Sequence, residues 1–289
     1  MKKFELTSEF FKNALGTKLF RIKALVKFGD VIAGELGGYV EKEENLAQDG
    51  NAWVYGNAWV CGDAKVYGDA CVYGNAWVCG DAKVYGDAKV CGNAEVYGDA
   101  EVYGDAKVYS NAKVYGDAEV YGDAEVCGNA WVCGDAKVYG DAEVCGNAEV
   151  YGDAEVYGDA KVHGDAEVCG DAKVYGDAEV CGNAEVYGDA EVYGDAKVHG
   201  DAEVYGDAEV CGNADYSTVK GFGRFFRTTT FFRKKDKDIG VSCGCFYGTL
   251  DEFRDKVRET HGDSKTAKEY LMLADLMEYR FSRDGQKED

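Results

Sequence analysis

Between Asn51 and Ala214 six residues recur without a break: Val, then Tyr, Cys or His, Gly, Asp or Asn, Ala, and a charged residue or Trp. Val occupies every sixth position from Val54 to Val210, which makes 27 units, and the one departure at the Gly position is Ser110. A short fixed period of this kind means stacked coils of strand and overrides residue-by-residue propensity. Side chains alternate across a strand, so in Ala-Lys-Val-Tyr the Ala and Val share one face. They must be the inward pair, because the other choice buries a charge in nearly every unit. Gly followed by Asp or Asn is turn chemistry, so each unit reads as a short strand plus a corner.

A second period sets the number of sides. Asn corners fall at Asn57, Asn75, Asn93, Asn111, Asn129, Asn147 and Asn183, with Asp165 and Asp201 on the same 18-residue grid, while the next corner is Asp from Asp63 to Asp207. Eighteen residues are three hexads, so the fold class is an all-β solenoid, a three-sided parallel coil of nine turns. On these residues the chain resembles the left-handed β-helix hexapeptide-repeat superfamily, which includes trimeric acyltransferases of the UDP-N-acetylglucosamine acyltransferase type. The resemblance implies a left-handed coil and, for an enzyme, a catalytic His in a cleft between subunits, often beside a loop that interrupts the coils. No loop breaks the 27 units here.

Charge is concentrated on the repeat. Residues 51–214 carry 32 Asp and Glu against 9 Lys and Arg, a net −23 in a chain whose total is −22. Such a surface repels nucleic acid and anionic membranes and selects basic protein partners. Nine coils at about 4.8 Å make a rod of about 43 Å. Its charge density, one per ~1.9 Å, approaches the ~1.7 Å of duplex DNA, so a DNA-mimic-like binder of a basic protein is one reading. The start has no apolar leader core and no window reaches a membrane span, which reads as cytoplasmic. Ten of the 12 Cys substitute within the repeat; they read as free thiols in a reducing compartment, although Cys61/Cys79 and Cys127/Cys145 stand one coil apart and are placed to oxidise.

The flanks read as caps: residues 1–50 at the N-terminus and 215–289 as a small α+β module. Ser8 to Leu15 suggests a short helix and Lys18 to Phe28 a strand, followed by irregular coils over 34–50. In the C-terminal module two strands, 228–233 and 241–246, precede a helix that opens on the capping box Thr249–Glu252 and ends at His261, then a second helix from Ser264 to Phe281. The run Ser242-Cys-Gly-Cys-Phe246, with Gly248-Thr-Leu-Asp-Glu-Phe253 and His261-Gly262 after it, is similar to C-terminal modules of uncharacterised bacterial and phage hexapeptide-repeat proteins, a likeness that carries no activity.

The outward ladders hold the candidate sites. One side aligns Tyr67, Tyr85, Tyr103, Tyr121, Tyr139, Tyr157, Tyr175 and Tyr193 beside a Lys/Glu column. Its plainest role is to stiffen the rod; its sharper one is a partner-binding or self-association stripe, suited to a homo-oligomer. A second side carries Trp59, Trp77 and Trp131 among Cys. The remaining side stacks Cys127, Cys145, His163, Cys181 and His199. Residues 143–168 and 179–204 are identical, so His163 and His199 are copies, and a flat ladder points its side chains in parallel rather than converging. No metal and no cofactor is expected. Arg224, Arg227 and Arg233 lie in an acid-free stretch with five Phe, either a solvated cap, a contact to acidic solenoid or, less favourably, nucleic acid. The sequence therefore reads as a non-catalytic acidic solenoid, structural or protein-binding, with acyl transfer through His163 or His199 as the alternative.

Overall fold

The computed structural model describes residues 2–223 and 226–282. Every repeat Ala and Val from Ala52 to Val210 has 0% exposure. That file of small apolar side chains is the core of three parallel sheets. The first side runs from Trp53–Val54 to Lys197–Val198, the second from Trp59–Val60 to Glu203–Gly206, and the third from Lys65–Val66 to Glu209–Val210. Register is 18 residues throughout, as in Val84 beside Val102 beside Val120. Each coil donates to the next, for example Lys83 N–H to Ala100 O at 2.9 Å.

Corner chemistry explains the Gly positions and the Asn grid. Gly86 sits at φ 71°, and a Cβ there would lie 2.9 Å from the Gly104 nitrogen of the coil above. Glycine meets both demands, conformation and space; Ser110, at φ 64°, is the repeat's exception. The Asn corners form an amide ladder in which each Nδ2 donates to the next Oδ1, from Asn57–Asn75 at 3.3 Å to Asn129–Asn147 at 2.9 Å. Asn147 then donates to Asp165 at 2.8 Å. A carboxylate accepts but cannot pass the bond on.

The N-terminal region adds to the coil count and corrects one expectation. Val40 pairs with Val60 and Leu46 with Val66, so residues 36–50 begin a tenth coil that is two residues wider than the rest. Ser8 to Leu15 is not helical. Residues Phe4–Lys12 form β1, antiparallel to β2, Lys18–Ala24, which pairs with β3, Leu36–Val40. Cross-strand partners such as Phe10 and Phe20 decide the state of this segment instead. Phe4 and Phe28 close over Trp53, which is fully buried. Lys3 donates from beneath to the carbonyls of Asp49 and Ala52 at 3.1 and 3.0 Å.

At the far end, β4 (Tyr216–Val219), β5 (Thr229–Arg233), β6 (Ile239–Cys243) and β7 (Phe246–Thr249) form one antiparallel sheet. Helices α1, Leu250–His261, and α2, Lys265–Phe281, pack on it through Phe231, Val241, Phe253 and Met277. Thr249 and Glu252 form the reciprocal capping box, and Ser264 caps α2. The sheet seals the last coil: Thr230 Oγ1 accepts from Glu203 N–H at 3.0 Å, and Tyr247 lies against Tyr205 at 3.9 Å. Among the described residues no helix is long and apolar enough to cross a membrane.

Candidate functional site

The third side is a continuous aromatic and charged surface. Rings from Tyr67 through Tyr85, Tyr103, Tyr121, Tyr139, Tyr157 and Tyr175 to Tyr193 stack at 4.8–5.0 Å, with planes within 5°. The repeat dictates this, since identical positions in successive coils are adjacent strands of one parallel sheet. Where the residue sixteen positions on is Glu, the phenol also leans to it. Tyr85 donates to Glu101, Tyr103 to Glu119 and Tyr139 to Glu155, each at 2.9 Å. Tyr175–Glu191 and Tyr193–Glu209 repeat the contact at 3.1 and 2.6 Å. Burial, then the Glu101 carboxylate, pushes the Tyr85 hydroxyl well above its ordinary pKa.

Beside the rings the charged column pairs coil to coil. Lys83–Glu101 closes to 2.6 Å, Lys137–Glu119 to 3.3 Å and Lys173–Glu155 to 4.0 Å. The Lys83 contact comes first, ahead of the Tyr85 hydroxyl, in holding Glu101 below the usual carboxylate range. Along the edge of this side runs an open groove of about 550 Å³ whose walls are Asp63, Lys65, Asp81, Lys83, Asp99, Glu101, Asp117 and Glu119. Six of those eight are acids, so the groove presents spaced carboxylates to solvent.

The first side holds the Cys/His column and departs from expectation twice. Cys127 and Cys145 are joined by a disulfide, Cα atoms 4.6 Å apart, rather than standing as two free thiols. One-coil spacing brings the two Cys within disulfide range without moving the backbone. The ladder is also not parallel in its side chains: His163 leans across to Glu179, Nε2 to Oε1 at 2.8 Å. Its copy His199 instead meets the edge of Tyr216 at 6.2 Å. Neither His borders the grooves and pocket described here.

Three lysines of the C-terminal module reach the chain's own solenoid. Lys220 binds Asp201 at 2.6 Å, Lys235 binds Glu191 at 2.8 Å and Lys234 approaches Asp207 at 3.5 Å. Arg233 pairs with Asp215 at 3.2 Å and donates to the Phe281 carbonyl at 3.0 Å. Arg227 borders both a small groove with Asp201 and Glu203 and an apolar pocket behind it; Arg224 lies outside the described residues. That pocket, about 370 Å³, is walled by Phe246, Phe253, Val257 and Tyr270 with Cys243, Cys245, Lys256 and His261 at its polar margin. Burial, then Cys243, pushes the Tyr270 hydroxyl up to about 12. Nothing in the sequence marked Cys243, Cys245 or His261 as neighbours; residues from a hairpin and two helices meet there only in the fold.

Comparison with known proteins bears on the repeat. Residues 64–80 match the family described as YdcK Beta solenoid repeat. The chain is a hexapeptide-repeat β-solenoid. Over 62 residues the chain is 44% identical to a protein of Escherichia coli strain K12 named uncharacterized acetyltransferase YdcK. The match spans 19% of this chain and 19% of that relative's length. Most of either chain lies outside that match.

Proposed function

We propose that this solenoid is a docking rod for a basic protein segment, with the third side and its acidic groove as the receiving surface. The observation that carries the reading is how the chain treats its own basic stretch, residues 216–235. Lys220, Lys234 and Lys235 each settle on a solenoid carboxylate. The remaining coils present the same carboxylate columns with far fewer cations: the repeat as a whole has 32 acids to 9 bases. Spaced like charges of this kind steer an oppositely charged partner and fix its register more than they add raw affinity. Stacked Tyr rings beside the groove supply rigid amphipathic contact area. The DNA-mimic reading is the narrow form of this proposal, in which the basic partner is a nucleic-acid-binding protein.

Titration of the full chain with a Lys/Arg-rich peptide tests it. Binding that weakens steadily as salt screens the groove supports docking; binding absent at low salt, or indifferent to salt, overturns it. Acyl transfer is the second reading, favoured by the name of the YdcK relative. It requires turnover of an acyl-thioester donor that is lost on replacing His163 and His199 together.

A further inference from the structure

We propose that His163, Glu179 and Cys181 form a binding site for one divalent transition ion of the zinc class. Their ligand atoms all lie within 4.8 Å of one another on the first side. The solenoid's geometry makes the triangle. A residue before the corner Gly has two neighbours in the coil above: its register partner eighteen residues on, and the charged residue sixteen on, towards which it leans. On the third side one such triangle is Tyr85, Glu101 and Tyr103. At His163 it becomes an imidazole, a carboxylate and a thiol, because Cys181 is the register partner and Glu179 accepts the lean. Imidazole nitrogen, carboxylate oxygen and thiolate sulfur are the donor types of zinc sites, and three protein ligands leave a fourth position for water.

The surroundings suit a bound cation. The His163 side chain is 43% exposed, which gives an ion an entry path. Carboxylate and thiolate together balance a double positive charge. Lys197 holds the other oxygen of Glu179 at 3.2 Å, leaving Oε1 for the ion in place of its present bond to His163. Cys145, the neighbour on the opposite face of His163, is tied up in its disulfide. Bonds of about 2.0–2.3 Å to a central ion require the three donor atoms to draw closer, a movement of side-chain torsions on an open surface.

The sequence supplies an internal control. His199 repeats His163 within an identical 26-residue stretch, 143–168 copied as 179–204. Sixteen and eighteen residues beyond His199 stand Asp215 and Ser217, past the end of the repeat. Asp215 is committed to Arg233, and no thiol occupies the third place. The same His in the same local sequence therefore lacks the available carboxylate and the thiol of a coil above, its neighbouring thiol being Cys181 of the coil below.

The test is titration of the untagged full chain, disulfide intact, with cobalt(II), following the thiolate-to-cobalt charge-transfer band. One saturable equivalent, displaced by zinc, is expected. His163→Tyr places the commonest ladder residue at that position and keeps a donor to Glu179, so the coil is preserved. It should weaken binding by more than the roughly 10–100-fold that loss of an outer-shell partner costs, Cys181→Ser should abolish the charge-transfer band, and His199→Tyr should leave the titration unchanged. Absence of a saturable band, its survival in Cys181→Ser, or equal losses from His163→Tyr and His199→Tyr would overturn the site.

Discussion

Tyr85 donates its phenol hydrogen to Glu101 one coil above, at 2.9 Å, while Lys83 holds the other oxygen of the same carboxylate at 2.6 Å. One acid thereby joins the aromatic and charged columns of the third side. Removing the hydroxyl should cost what an ordinary hydrogen bond contributes. Tyr85→Phe is expected to lower stability by about 0.5–1.5 kcal/mol. Tyr85→Ala, which also breaks two ring stacks, should cost about 1–3 kcal/mol more. Thermal melts of the two variants check the order; equal effects would mean that the stack contributes nothing.

Acid should act on the two kinds of Glu in opposite directions. Lys83 and Lys107 hold the carboxyls of Glu101 and Glu125 below the usual range. Their stabilisation is complete above the unfolded carboxylate pKa of about 4.3 and is lost as pH falls through the lower folded values. Glu185 is raised, by burial first and then by Glu203 and Glu167. Its charge is a penalty at neutral pH that fades as pH falls through its raised value. Glu185→Gln should therefore melt higher than the parent at pH 7 and lose that advantage below the unfolded pKa. A constant difference across the range would contradict the assignment.

The corner at Ser110 is a built-in weakness. A side chain at φ 64° costs roughly 1–2 kcal/mol, part of which the greater unfolded freedom of Gly returns. Ser110→Gly should stabilise by about 0.5–1 kcal/mol. Gly86→Ala meets both the dihedral cost and the backbone of Gly104, and should destabilise by more than Ser110→Gly gains. Denaturant midpoints of the two variants measure both signs.

Thiol counting tests the one cross-link. Ten of the 12 cysteines are free and Cys127 and Cys145 are joined. Alkylation of the denatured, unreduced chain should label ten, and prior reduction should raise this to twelve. A bond spanning 18 residues contributes about 3 kcal/mol by loop-closure entropy, so reductant should also lower the melting temperature.

Much of this was legible in the sequence, and what was not has physical causes. Inward Ala and Val, the three-sided coil and the Thr249 cap come from period and turn chemistry, which act within a few residues. The strand Phe4–Lys12 was hidden because its partner Lys18–Ala24, not its own propensity, decides its state. The lean of Tyr85 to Glu101 and of His163 to Glu179 depends on side-chain direction across coils, which spacing does not give. The groove was implicit in the Asp and Glu columns. The pocket around Tyr270 was not, since its walls come from separated segments of the C-terminal module.

Docking on the third side is tested most directly by neutralising carboxylates on one side at a time. One variant combines Asp99→Asn, Glu101→Gln, Asp117→Asn and Glu119→Gln, all in the groove. A second, matched in charge, combines Glu95→Gln, Glu149→Gln, Glu167→Gln and Glu185→Gln, all on the second side. With exposed charges worth a few tenths of a kcal/mol each, affinity for a Lys/Arg-rich peptide should fall about tenfold in the first and by much less in the second. Equal losses from the two variants would mean that net charge alone attracts the peptide, and that the third side is no docking surface.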